Sequence, residues 1–513
     1  YSYYINIFIY IYIFFFTYLY ILKLFYKYIF LIKDLRGLKQ TMKIENLWKK
    51  SAKVVVTLLK NNEISPKEAI DSIIHRINET HDDINAVVTT CEDRALGKID
   101  TINAHMKNHP GFLFGLPVVI KDLTDVCDVK TTQGSPIFKD HIPNRSDYLV
   151  EKIELMGGIV IGKTNTPEFG AGSQTFNTVF GVTANPWNIN FTAGGSSGGT
   201  AAALAAGAAW LGTGTDLGGS LRNPASFCGV VGLRPTAGIV PHGPSNLPFS
   251  TLSVSGPMAR TVEDLSLFLD TISGYDSRDP LSTDSPQYSY QSSVNANFGK
   301  LKIAFTEDYN FLPCDPEVRN TIKIAKSIFK KLGHQVEDAS PDFSGAESTF
   351  QTLRAHLLAT DKREIYEKHK NLLKEDLRLN IEKGLTLTEK EISIAQLDRG
   401  RLVKNTNQFL EEYDLLVSPS AMVPPFSIKE HWPKNVEDVT FSNYVSWLMT
   451  AATISLTGCP SLAVPCTLSK NKLPIGIQII GKARNEHLLI SVGHQFQSII
   501  DNNLSTPIDP IKR

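Results

Sequence analysis

No sign of charge prevails in this chain: Lys and Arg number 52, Asp and Glu 52, in 513 residues. A polyanion is held by surplus positive charge, so no nucleic-acid partner is expected and a small neutral molecule fits better. Cysteine is scarce. The six residues Cys91, Cys127, Cys228, Cys314, Cys459 and Cys466 form no C-x-x-C pair and no His/Cys cluster at zinc spacing. That scatter excludes a disulfide framework and predicts reduced thiols in a cytoplasmic protein, with neither metal nor cofactor. No period of about 20 to 50 residues recurs, which excludes solenoids and propellers.

The first 33 residues lack Gly, Ala, Pro and Val, and the first 22 lack any charge, yet nine of the 17 tyrosines lie there. A run of that length can cross a bilayer. Lys23, Lys27 and Lys33 follow it and would keep the remainder in the cytoplasm. The run has neither the basic start nor the small-residue cleavage site of a secretory signal. A second reading makes residues 1–41 translated upstream sequence: the chain opens on Tyr1, the segment uses mainly residues with A/T-rich codons, and Met42 opens an amphipathic helix from Met42 to Trp48. Both readings stay open. A membrane is a partner only under the first, and residues 42–513 form a single catalytic domain under either.

From Met42 onward helical and strand patterns alternate, which predicts an α/β fold. Ser65-Pro66-Lys67-Glu68 has the form of a capping box with proline at the first helical position, opening a helix from Ala69 to Ile77. The short apolar runs Leu116 to Ile120, Gly158 to Ile161, Leu301 to Phe305 and Ile475 to Ile480 read as buried strands. A charged stretch from Pro316 to Glu412 has little glycine and predicts peripheral helices over one face of the sheet.

Two serines in glycine-rich turns stand out. Gly194-Gly195-Ser196-Ser197-Gly198-Gly199-Thr200 is followed by Asp216-Leu217-Gly218-Gly219-Ser220-Leu221-Arg222, with an alanine-rich segment between them. Glycine weakens helices and strands, so such clusters mark places where backbone must approach closely or turn sharply. Two common motifs also match here and both lack their context. Gly157 to Thr164 fits G-x-x-x-x-G-K-[ST], but its interior Ile159-Val160-Ile161 is strand material and Pro167 interrupts any following helix. G-x-S-x-G fits around both Ser196 and Ser197, but the preceding Asn185-Pro186-Trp187-Asn188 is turn-like rather than the strand a nucleophile elbow needs. Nothing around His242 or His334 distinguishes either from an ordinary histidine. Lys121 ends the apolar run Val118-Val119-Ile120, where a lysine by itself is usually a solvated strand terminus.

Taken together, Gly115 to Asp122, Gly162 to Phe169, Asn185-Pro186-Trp187, Gly194 to Gly199, Gly212 to Ala225, Gly229 to Thr236 and Leu473 to Gly481 resemble the amidase signature family over most of residues 45–485. One departure is Ala193, where the family commonly has proline. The resemblance implies a three-layer α/β/α sandwich around a large mixed β-sheet, and a Ser-cisSer-Lys triad with Ser220 as nucleophile, Ser196 as proton relay after a cis Gly195–Ser196 peptide, and Lys121 as base. A serine hydroxyl needs an adjacent base, and a lysine can be that base only when desolvation keeps it neutral. The backbone N–H groups of Leu217, Gly218, Gly219 and Ser220 are expected to form an oxyanion hole. Ser197, Asp216 and Arg222 are expected to brace the loops, and Thr200 to Trp210 to form a packed helix holding them in register.

The expected activity is hydrolysis of a carboxylic amide to acid plus ammonia or amine. Alternatives within the family are the glutaminase subunit of a tRNA-dependent amidotransferase and a membrane-anchored fatty acid amide hydrolase. After Arg234-Pro235-Thr236 the chain reads Ala237-Gly238-Ile239-Val240-Pro241, where the glutaminase subunit usually has a tyrosine-glycine pair and an arginine-rich turn, which favours a stand-alone amidase. A homodimer stays open. Pro316 to Glu412 and Ser420 to Trp447 are expected to shape the acyl pocket. Phe426, Trp432, Phe441, Tyr444 and Trp447 are either its apolar lining or core.

Overall fold

Eleven strands form one mixed sheet in a computed structural model that describes residues 2–500 and 504–512. In chain order they are β1 (Val87–Thr90), β2 (Pro117–Lys121), β3 (Ile159–Thr164), β4 (Leu211–Asp216), β5 (Val231–Arg234), β6 (Val254–Ala259), β7 (Lys302–Phe305), β8 (Gln335–Asp338), β9 (Leu415–Pro419), β10 (Ser461–Leu468) and β11 (Pro474–Ile480). Across the sheet their order is β1-β3-β2-β4-β6-β5-β10-β11-β9-β7-β8. The pairs β2/β3, β2/β4, β7/β9 and β7/β8 are parallel, and the others antiparallel. Helices flank this sheet, as the α/β reading expects. Most of β2, β3, β9 and β11 is apolar and every residue in them is buried, which suits strands covered on both faces.

Local signals place several boundaries well. Ser65 caps the helix Pro66–Ile84: its Oγ accepts from Glu68 N at 3.2 Å while Glu68 Oε2 accepts from Ser65 N at 2.7 Å. The alanine-rich helix is shorter than expected and spans Gly198–Ala205. Gly207, at φ +77, turns the chain there, a conformation open to glycine and poorly to other residues. Residues 316–412 also differ from an all-helical segment. The helix Pro316–Lys331 ends ahead of Gly333, and Gln335–Asp338 then adds to the sheet as edge strand β8, parallel to β7. Beyond it lie the helices Ala346–Asp361, Arg363–His369, Glu375–Thr386 and Glu389–Glu412.

The chain divides into two units, Tyr1–Leu47 and Trp48–Arg513, so the boundary falls after Leu47 rather than after residue 41. The first is a helix, Ser2–Glu45, long and apolar enough over Ser2–Tyr28 to cross a membrane. Met42 does not open a new helix. It lies near the end of this one, ahead of a 3-10 turn at Leu47–Lys49.

Candidate active site

The parallel neighbours β2 and β4 end side by side, and their carboxyl ends carry Lys121 and Asp216. Ligands of α/β sheets commonly bind outside such strand ends. Lys121 is fully buried, and its Nζ lies 2.7 Å from Ser196 Oγ, 2.9 Å from Ser197 Oγ and 2.9 Å from Thr215 Oγ1. Three hydroxyls surround the amine. Burial holds its pKa well below the usual lysine value, and the Asp216 carboxylate opposes that shift without reversing it. The solvated strand terminus is thereby excluded.

Ser196 and Ser197 sit where the chain leaves Gly195 and enters the helix Gly198–Ala205. The Gly195–Ser196 peptide is cis. The helix lies tight against the sheet, for a Cβ on Gly199 would meet Asn165 N at 2.4 Å and one on Gly212 would meet Thr200 Cγ2 at 2.5 Å. Ser197 N donates to the Ser220 carbonyl at 3.2 Å, which ties the two serine loops together. The Ser197 hydroxyl accepts from Lys121, so this residue positions the amine.

Asp216 organises the turn that presents Ser220. Its Oδ1 accepts from Gly219 N at 3.0 Å and its Oδ2 from Leu221 N at 3.1 Å. Arg222 grips both oxygens, through Nε at 3.0 Å and a terminal N–H at 2.8 Å, and Arg234 approaches Oδ1 at 3.2 Å. Burial disfavours the carboxylate charge, yet these two guanidinium groups and the Leu221 amide outweigh burial and hold its pKa below the usual range. Arg222 further donates to the Ala451 carbonyl, Gln478 Oε1 and Ser455 Oγ, each at 2.8 Å. Asp216 and Arg222 thus tie this turn to one another and to the backbone of Gly219 and Leu221.

Gly219 departs from the expected oxyanion role. Its N–H is taken by Asp216, and it is not among the cavity-lining residues, whereas Leu217, Gly218 and Ser220 are. The loop also needs glycine here, at φ +111, with Ala451 Cβ only 2.5 Å from where a Cβ would stand. Among the described residues the Ser220 hydroxyl has no hydrogen-bond partner; Lys121 and Ser196 are joined directly, while the Ser220 side chain lines the same cavity as Ser196.

That cavity, of about 250 Å³, receives Ser196, Thr215, Leu217, Gly218 and Ser220 on one side. Residues from both segments expected to shape it contribute, among them Phe350, Arg354, Leu358 and Tyr444. Of the five aromatics weighed as lining, only Tyr444 reaches it; Trp432, Phe441 and Trp447 are buried in the hydrophobic core, and Phe426 packs against that core. His242, read as an ordinary histidine, also lines the cavity, while His334 accepts from Leu301 N at 3.2 Å elsewhere. The P-loop match proves to be strand: Lys163 lies inside β3, fully buried, 3.2 Å from Asp122 Oδ1 and donating to Thr131 Oγ1 at 2.6 Å. Sequence reasoning missed Thr215 and Arg234. Alternation along Thr213-Gly214-Thr215 places both threonines on one face, and Thr213 Oγ1 accepts from Lys121 N at 3.1 Å.

Known proteins resemble this chain over most of its length. The family model described as Amidase matches residues 68–490. A glutamyl-tRNA(Gln) amidotransferase subunit from Sulfurihydrogenibium sp. (strain YO3AOP1) is 32% identical over 489 residues, covering 90% of this chain and 99% of that protein. An acylamidase of Rhodococcus erythropolis is 31% identical over 460 residues, covering 89% and 96%. Among solved structures, a bacterial aryl acylamidase of the amidase signature family superposes with a TM-score of 0.82 at 29% identity, over 88% of this chain and 96% of that one. Sheet, serine loops and relatives agree, and the chain belongs to the amidase signature family, as an enzyme that hydrolyses carbon–nitrogen bonds of non-peptide amides.

Proposed function

We propose that this enzyme cleaves a small carboxylic amide through an acyl-enzyme on Ser220, with Ser196 as proton relay and Lys121 as base. The observation that carries the reading is the buried Lys121 amine 2.7 Å from Ser196 Oγ. A neutral amine has two N–H groups and one lone pair, which matches three hydroxyl neighbours: Ser197 and Thr215 accept from it, and Ser196 donates to it. Ser196 then takes the proton of Ser220 as that oxygen attacks the amide carbon, and its own proton passes to Lys121. The path reverses when the amine leaves, and water repeats it to release the acid. The N–H groups of Leu217, Gly218 and Ser220 make no hydrogen bond to described residues, and they serve as donors to the developing oxyanion. Loss of one such donor typically lowers kcat by about 10²–10³-fold.

Replacing Lys121 with Ala tests the base. The wild-type kcat/KM falls as acid protonates Lys121, at a pH well below the normal lysine range. The variant loses most activity and that acid limb together. A Lys121→Ala enzyme that keeps the parent pH profile contradicts the assignment.

The amidotransferase relative supports a second reading, glutamine hydrolysis inside a larger assembly. Ammonia release from glutamine that requires partner subunits and charged tRNA would favour it; hydrolysis of simple amides by the isolated chain favours the first.

A further inference from the structure

The helix Ala346–Asp361 turns one face to the cavity: Phe350, Arg354, Leu357, Leu358 and Asp361 all line it, at the i, i+4, i+7, i+8 and i+11 positions of a single stripe. Phe350 meets the nucleophile loop, since its ring lies 3.0 Å from where a Cβ on Gly218 would stand. Arg354 comes one turn later, about 5.4 Å along the axis. It is only 6% exposed. Its guanidinium donates to Asn380 Oδ1 and to the Tyr444 hydroxyl, both neutral, and its carbon lies 5.2 Å from the centre of the Tyr444 ring. Nearby carboxylates are engaged elsewhere: Asp376 pairs with Lys374 at 3.3 Å, and Asp361 with Lys362 at 2.9 Å. Among the described residues no Asp or Glu forms an ion pair with Arg354.

A buried charge is normally paired, because transfer from water to the interior is costly without a counter-charge. Here the guanidinium is held in place by neutral groups and faces a cavity that also contains the nucleophile. We propose that Arg354 pairs with a carboxylate on the substrate, so that this enzyme prefers amides bearing an anionic group a few bonds from the scissile carbonyl, such as monoamides of short dicarboxylic acids. The inference rests on the reading of the Ser220 cavity as an amide-hydrolysing site. Phe350, Leu357 and Leu358 on the same stripe cover the methylene chain. Asn380 and Tyr444 fix the plane of the fork that a carboxylate meets in bidentate fashion.

The test compares kcat/KM for succinamate, glutaramate and adipamate with that for uncharged n-alkyl amides of equal length. The wild type favours at least one anionic member by about tenfold or more, as expected for a charge-assisted pair. Arg354→Gln brings that ratio close to one, and Arg354→Lys, which keeps the charge without the fork, retains part of it. A measurement on the wild type alone guards against variants that fail to fold: the favoured monoamide slows labelling of Ser220 by a fluorophosphonate at lower concentration than its uncharged counterpart. A wild type indifferent to the carboxylate in both turnover and protection overturns the proposal, as does an Arg354→Gln enzyme with undiminished preference. If the wild type hydrolyses no amide at all, the proposed function fails, and the protection measurement alone decides the role of Arg354.

Discussion

Lys121 shows how burial determines what a single residue can do. Its pKa in the folded chain is depressed by desolvation, while in the unfolded chain it returns to the ordinary lysine value. Between those two values the unfolded state binds one more proton than the folded state, so this residue makes stability rise with pH. Lys121→Met removes a group that must shed its proton on folding. The variant is therefore expected to melt above the wild type near neutrality, with the gap closing as pH approaches about 10; thermal unfolding of both proteins from pH 7 to 10 measures it. A gap that widens with pH would contradict a lowered Lys121 pKa. Thr215 is the neighbour that sequence reasoning overlooked. Thr215→Val removes one hydroxyl beside the amine, and steady-state kinetics should show a fall in kcat/KM of up to about tenfold, the scale of one neutral hydrogen bond.

At the scale of elements, the serine loops depend on backbone that only particular residues permit. Gly219→Ala forces a Cβ against Ala451 and an L side chain into a positive φ, strain of roughly 1–3 kcal/mol before any collision is counted. Denaturant unfolding should register that loss, and kinetics a fall in kcat, because the same turn aims Ser220. Arg222→Met leaves the buried Asp216 with Arg234 as its remaining cationic partner, and breaking such a pair typically costs about 3–5 kcal/mol. Both loops were legible in the sequence because glycine clusters have few structural explanations, and Ser65-Pro66 marked its helix because capping is local chemistry. The direction of the Gly219 amide was not legible, since it depends on Asp216 folding back along its own turn. Strand β8 was hidden within a charged stretch because an edge strand of four residues, half exposed, carries almost no apolar signal. The cavity wall was the least readable part. Phe350, Arg354 and Leu358 are ordinary members of a charged helix until the sheet places that helix over Ser220, and the conspicuous aromatics Trp432 and Trp447 are core.

At the scale of the whole molecule, every residue assigned to the site lies within Trp48–Arg513. A chain that begins at Met42 is therefore expected to retain the kcat/KM of the full chain toward small soluble amides, whichever origin the first 41 residues have. Assays of the two proteins side by side check this, and loss of activity in the shorter one would give the N-terminal helix a catalytic task. The central claim is that Ser220, and neither Ser196 nor Ser197, forms the covalent intermediate. Its most direct test is to treat the protein with a fluorophosphonate and locate the adduct by peptide mass analysis, in the wild type and in Ser220→Ala. One adduct, on Ser220, is expected in the wild type, and none, with no amide turnover, in the variant. An adduct on Ser196 or Ser197, or a Ser220→Ala protein that still hydrolyses amides, would contradict it.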